Sequence, residues 1–166
     1  MKSTTEKIVI SAMFASLVCV ATMVVKIPSP LHGYINLGDA FVLLAGWCIS
    51  PLYGFLAAAI GSGLADLLSG YALYAPATFL IKGIMAIVAF YGYKFISNKA
   101  NKIFARIVSG VAAEIFMILG YLLFEGILYG FVPSLVNIPP NAIQGLAGII
   151  IGVLLVNIFN KYKILK

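Results

Sequence analysis

Apolar residues in this chain run in blocks of helix length rather than alternating with polar ones. Six blocks stand between short connections: about Thr5 to Ile27, Leu37 to Ile49, Pro51 to Ser69, Ala75 to Ile96, Ile103 to Tyr129 and Pro140 to Asn160. Several approach the roughly 20 residues that cross about 30 Å of hydrocarbon. Backbone polar groups in lipid need internal partners, which leaves helices or a closed barrel, and continuous apolar runs argue against the alternation of a barrel. The pattern therefore predicts an all-α integral membrane bundle of six transmembrane helices. The first block stops at "KIPSP", where Pro28 and Pro30 cannot continue a helix. The second, at roughly 13 residues, is short for a full crossing, and the third opens on Pro51, a residue suited to a first helical turn.

Composition agrees: of 166 residues 63% are hydrophobic and 10% charged, with mean hydropathy +1.09. Six spans leave no room for a separate soluble domain, so residues 1–166 read as one transmembrane domain. Lys2 and Lys7 precede an apolar stretch as they would in a signal peptide, but the stretch is long and no small-residue cleavage site follows, which predicts a retained helix. Cys19 and Cys48 lie in membrane segments without ligand spacing and read as small hydrophobes. His32 has no second His or Cys near it, which argues against a metal site, and no cofactor pattern is visible.

The net charge of +6 would fit a nucleic-acid partner, but its distribution speaks for orientation instead. With six spans, Lys2, Lys7, Lys94, Lys99, Lys102, Arg106, Lys161, Lys163 and Lys166 fall on one side, nine of the eleven basic residues. The positive-inside rule then puts both termini in the cytoplasm. Lys26 borders the other side and Lys82 lies within the bilayer.

Orientation assigns depths. Lys82 is about 10 Å below the outer surface and Glu125 about 6 Å, at 1.5 Å rise per residue. Asp66, Asp39, Asn141 and Gln144 come from other helices yet share that outer band. A charge at a helix centre costs on the order of 2.5 to 3.5 kcal/mol on insertion scales, so such residues pair, face the interior or line a wet cavity. Glu125 and Asp66 are the acids nearest Lys82 in depth, and the plain alternative to a binding site is an ion pair that pins helices together. Glu114, eleven residues before Glu125, joins Ile118 and Tyr121 on one interior-facing stripe and reads as structural. Tyr34, Tyr71, Tyr74 and Tyr129 cluster in or beside the outer loops, as an aromatic belt or as walls for a flat ring.

"GSGLADLL" at Gly61 superficially looks like a nucleotide loop, but it sits in an apolar helix, follows no strand and lacks the Lys and Ser/Thr of a phosphate loop. Its small residues, Gly54, Ala58, Gly61 and Ala65, better suit close helix approach, as do Gly145, Gly148 and Gly152. No nucleophile with a base and orienter is visible, so the chain does not read as an enzyme. On the first helix Ser11 with Ala15, and Ala12 with Ser16, form small-xxx-small pairs, which from spacing alone favour packing within the bundle.

The stretch "INLGDAFVLLAGWCISPLYGFLAAAIGSGLADLLSGYALYAPATFLIKGIMA", residues 35–86, is similar to the riboflavin-transporter-like branch, which includes hydroxymethylpyrimidine-type subunits, of the S components of energy-coupling factor (ECF) transporters. "AMFAS" at Ala12 resembles that family's Ala-x-x-x-Ala coupling motif with Ser16 replacing the second Ala, and length and helix count agree across essentially the whole chain. The resemblance implies a vitamin-capture subunit in a bacterial cell membrane, working with an ECF transmembrane scaffold subunit and two cytoplasmic ATPase subunits. It implies a vitamin site in the outer half of the bundle, with Lys82, Glu125, Asp66, Asn141, Gln144, Tyr74, Tyr34 and Asn36 as ligand-binding candidates, and it assigns Ala12, Ala15 and Ser16 to contact with the scaffold. One embedded cation cannot neutralise a polyphosphate, so a small neutral or singly charged ring fits better. Hydroxymethylpyrimidine and pyridoxine are preferred, with riboflavin and pantothenate as further candidates. Rival readings are a membrane scaffold without a ligand and an intramembrane enzyme using Glu114 and Glu125.

Overall fold

The computed structural model describes residues 3–31 and 33–161, excluding the side chains of Asn160 and Lys161. His32 and the flanking Lys2, Lys163 and Lys166 lie outside the described residues, as does the side chain of Lys161.

Helix α1 spans Thr4–Val24. It starts at a reciprocal cap, in which Ser3 Oγ accepts from the Glu6 N–H and Glu6 Oε2 accepts from the Ser3 N–H. It ends three residues before the expected Ile27. Pro28 disfavours helical geometry at the residue before it, and the chain there finds other partners: β1 (Ile27–Pro28) pairs antiparallel with β2 (Tyr34–Ile35), Ile27 opposite Ile35. The first connection is thus a small ribbon rather than an open loop.

Helices α2 (Gly38–Cys48), α3 (Pro51–Leu68), α4 (Ala75–Ser97) and α5 (Lys102–Tyr129) follow close to their expected bounds. Beyond Gly130, α6 (Phe131–Ser134) and a 3₁₀ turn (Leu135–Asn137) occupy what reads in sequence as a loop. Helix α7 then spans Ile138–Lys161, two residues earlier than the expected start at Pro140. Pro139 and Pro140 fall inside its first turn, where a missing N–H leaves no helical bond unmade. Gly130, at φ +91°, makes the sharp exit from α5 that lets α6 fold back.

The short α2 is the axis of the bundle. It packs against α1, α3, α4 and α7, and all but two of its residues are buried. Its 11 residues do not cross a bilayer unaided, but a helix sheathed in protein has no lipid thickness to match. The other spans do: α1, α3, α4, α5 and the run Phe131–Phe159 are long and apolar enough to cross a membrane. Phe14, Val18, Leu43, Leu44, Met85 and Met117 form the fully buried core. Val20, Leu64, Leu119, Ile127 and Leu154 point outward, an apolar exterior suited to lipid. The architecture is an all-α membrane bundle of six principal helices.

Bare glycine backbone sets several approaches. A Cβ at Gly61 on α3 would meet the Ala15 carbonyl oxygen of α1 at 2.5 Å, so Ala15 belongs to a tight α1–α3 contact. A Cβ at Gly148 on α7 would lie 2.9 Å from Asp39 Cβ and 3.0 Å from Glu114 Oε1. Small residues here let two carboxyl-bearing helices close on α7.

Candidate functional site

The chain passes six times between the two ends of the bundle, so the end of α1, the start of α2, the end of α3, the start of α4, the end of α5 and the start of α7 meet at one end. That end holds a narrow cleft with about 40 Å³ of room inside it, opening to solvent at its mouth. All eight ligand-binding candidates line it: Tyr34 and Asn36 from the ribbon, Asp66 from α3, Tyr74 and Lys82 from α4 and its cap, Glu125 from α5, and Asn141 and Gln144 from α7.

Local structure delivers each of them. At the end of α3, Gly70 (φ +86°) closes a turn in which the Tyr71 N–H donates to the Asp66 carbonyl at 2.8 Å and the Gly70 N–H to the Leu67 carbonyl at 3.3 Å. This brings Tyr71 back over Asp66. The ribbon carries Tyr34 to the same place, where its hydroxyl donates to Asp66 Oδ1 at 2.6 Å and its ring lies 4.6 Å from that of Tyr71. Burial, and then the neighbouring Asp66, push the Tyr34 phenol above its ordinary value of 10, so it remains a donor. Tyr74, capping α4, donates to the Leu31 carbonyl at 2.7 Å. Burial, followed by a hydrogen bond with Tyr129, raises its phenol as well.

The floor of the cleft corrects one expectation. The acid that answers Lys82 is Asp39, not Glu125 or Asp66: Lys82 Nζ donates to Asp39 Oδ1 in an ion pair in which both side chains are buried. The second residue of α2 meets the eighth of α4, so position counted from the two helix starts does not give which side chains meet. From Asp39 the network continues. Gln144 Nε2 donates to Asp39 Oδ2 at 2.7 Å, and Gln144 Oε1 accepts from the Asn36 backbone N–H at 2.8 Å. Asn36 Oδ1 in turn accepts from the Gly38 N–H at 2.9 Å, holding the start of α2. The Lys82 ammonium also lies 5.5 Å from the centre of the Tyr121 ring.

The wall formed by α5 and the 3₁₀ turn is different. Glu125, 2% exposed, accepts at Oε1 from Asn137 Nδ2 at 2.8 Å. Its Oε2 and Asn137 Oδ1 are buried without a hydrogen-bond partner among the described residues. Asn137 escapes sequence reading because it sits in a stretch that resembles a loop; Asp39 stands in the outer band, but its pairing with Lys82, across 43 residues, is not legible there. Glu114, on the stripe with Tyr121, is buried against Gly145 and Gly148 beneath the cleft, with both carboxyl oxygens unpartnered among the described residues.

The helix 1 stripe divides. Ser11 is buried and Ala15 half-buried against α3, while Ala12 and Ser16 are exposed. Ala12 and Ala15 border an apolar groove whose other bank is Tyr53, Leu56, Ala57 and Ile60.

A small helical membrane bundle with a polar cleft at one end has the form of a subunit that holds a small solute. The chain belongs to the ECF-type riboflavin transporter S component family, whose model matches residues 2–161. A curated relative from Pyrococcus woesei, described as an uncharacterized protein in gap 3'region, is 34% identical over 136 residues, 81% of this chain and 88% of the relative. Among solved structures, one described as the S component of a bacterial ECF transporter superposes with TM-score 0.78 at 23% identity, over 96% of this chain and 98% of that one. Another, described as the S-component for biotin from an ECF-type ABC transporter, gives TM-score 0.60 at 17% identity, over 95% of each chain. The chain is thus a vitamin-binding membrane subunit of an ECF transporter.

Proposed function

We propose that this subunit captures a water-soluble vitamin or vitamin precursor in the cleft from outside the cell, and delivers it inward with a membrane scaffold subunit and two cytoplasmic ATPases. The observation that carries the reading is convergence. In a chain with 10% charged residues, Asp66, Lys82 and Glu125 all border one hollow, with Asp39 paired to Lys82 behind its lining, and the amides of Asn36, Asn141 and Gln144 join them there. A purely structural network would be expected to close up; this one leaves open space bordered by Tyr34, Tyr71 and Tyr74. Amides and carboxylates can bond the edge of a ring while tyrosines cover its face. Such an inventory suits a small heterocycle, hydroxymethylpyrimidine or pyridoxine ahead of riboflavin or pantothenate. Lys7, Lys94, Lys99, Lys102 and Arg106, at or beside the helix ends opposite the cleft, support cytoplasmic termini and a cleft facing outward.

The experiment is a thermal-shift screen of the purified chain against water-soluble vitamins. A ligand at 100 times its dissociation constant adds about 2.7 kcal/mol to the folded state. At least one vitamin should raise the midpoint; a flat response to all of them would leave the ligand-free scaffold reading in possession.

A further inference from the structure

We infer that the ligand presents nitrogen-borne hydrogen-bond donors, as an amino-substituted or protonated small heteroaromatic ring does, and that Glu125 Oε2 is the acceptor that reads this edge. The inference rests on the vitamin-capture reading and narrows it.

Charge is the first argument. Among the described residues lining the cleft, Lys82 is the one Lys or Arg side chain, and Asp39 already holds it. That leaves Asp66 and Glu125, 4% and 2% exposed, as carboxyl groups without a cation. Buried carboxylates without compensation are costly. A carboxylate or phosphate ligand would add to the imbalance, whereas a protonated or donor-rich ring relieves it.

Hydrogen-bond supply is the second. Among the described residues, two groups near Glu125 offer protons. Asn137 uses one on Oε1. Tyr74 has a single hydroxyl proton, which lies on the Leu31 carbonyl at 2.7 Å, against 3.4 Å to Glu125 Oε1. Oε2 receives nothing from the described residues, yet Glu125 borders the cleft. An amino group or ring N–H entering beside it supplies the missing donor. An isoalloxazine ring suits this wall less well, because its pyrimidinedione edge offers two carbonyl acceptors for one N–H, and acceptors here would face carboxyl oxygens.

The test uses the full chain in detergent and isothermal titration with three probe groups: amino-bearing rings (4-amino-5-hydroxymethyl-2-methylpyrimidine and pyridoxamine), the pyrimidine with oxygen in place of its 4-amino group, and the pair riboflavin and pantothenate. The amino pyrimidine or pyridoxamine should bind, and the amino pyrimidine should exceed its oxo counterpart by about 100-fold or more, as sites built around a ligand N–H discriminate. Glu125→Gln should weaken the amino ligand by about 10-fold or more, the scale of one charge-assisted hydrogen bond. Tight binding of riboflavin or pantothenate without any amino-ring binding would overturn the inference while leaving vitamin capture standing. Undiminished affinity in the Glu125→Gln protein, with its fold verified by an unchanged melting midpoint, would overturn the role of Glu125. Silence from every probe and every other vitamin would remove the capture reading itself.

Discussion

The two sides of the cleft handle buried polarity in opposite ways. On the floor, Lys82, Asp39, Gln144 and Asn36 join α4, α2, α7 and the ribbon, and each buried polar atom has a partner among the described residues. On the α5 wall, Glu125 and Asn137 bond each other and leave one oxygen apiece unanswered. The floor spans sequence separations above 100 residues at Gln144 and so ties the fold together; the wall links residues twelve apart and ties little. A satisfied network is framework, and an unsatisfied one has bonding capacity to give to something else.

The largest effect should come from breaking the floor. Lys82→Met leaves Asp39 buried without its cation, and removing one member of a buried pair costs about 3–5 kcal/mol. Denaturation of the purified variant should show that loss, and Lys82→Met combined with Asp39→Leu should recover much of it, since apolar replacement of a whole buried pair is often neutral. A loss below about 1 kcal/mol in the single variant would demote the pair to a surface-like contact.

How much of this was legible beforehand follows from the same contrast. Polar residues stand out against an apolar background, so the band that includes Lys82, Asp66, Glu125, Asn141 and Gln144 could be seen from helix order and rise alone. Pairing could not, because the relative level of two helices depends on the connections. The ribbon that pairs Ile27 with Ile35 leads into α2, whose Asp39 meets Lys82, and nothing in "KIPSP" announces that ribbon. Asn137 was hidden for a related reason: Pro133 and Pro139 read as loop residues, although each sits in or near a first helical turn where proline is tolerated.

A smaller effect should follow at Tyr34, between floor and wall. Tyr34→Phe strips Asp66 Oδ1 of its 2.6 Å donor and should cost about 1–2 kcal/mol of stability, the range for stranding a buried acceptor. The pH dependence has a definite sign. The folded phenol holds its proton above the ordinary value of 10, so its contribution is complete below pH 10 and is lost as pH rises beyond it. The difference between wild type and Tyr34→Phe in denaturation should therefore be constant from pH 6 to pH 9; a difference that changes across that interval would mean that another group titrates against Asp66.

The least disturbance to the bundle, and the sharpest separation of cleft from exterior, should come from Ala12→Trp. Ala12 is exposed on α1, and its neighbour Ser16 returns its hydroxyl to the Ala12 carbonyl at 3.0 Å, so neither side chain reaches the cleft. The added indole projects over the groove between α1 and α3 instead of into the core. Stability in isolation should shift by no more than about 0.5 kcal/mol, as is usual for outward positions, and vitamin affinity should be unchanged. If Ala12, Ala15 and Ser16 form the coupling surface, co-purification with the scaffold and ATPase subunits should nevertheless fail, because close helix contact needs small side chains. Ala15 is already committed to α3 through the approach at Gly61, so its enlargement would disturb the bundle as well and could not separate the two roles. Ala12 can, and full assembly of the Ala12→Trp protein would place the coupling surface elsewhere.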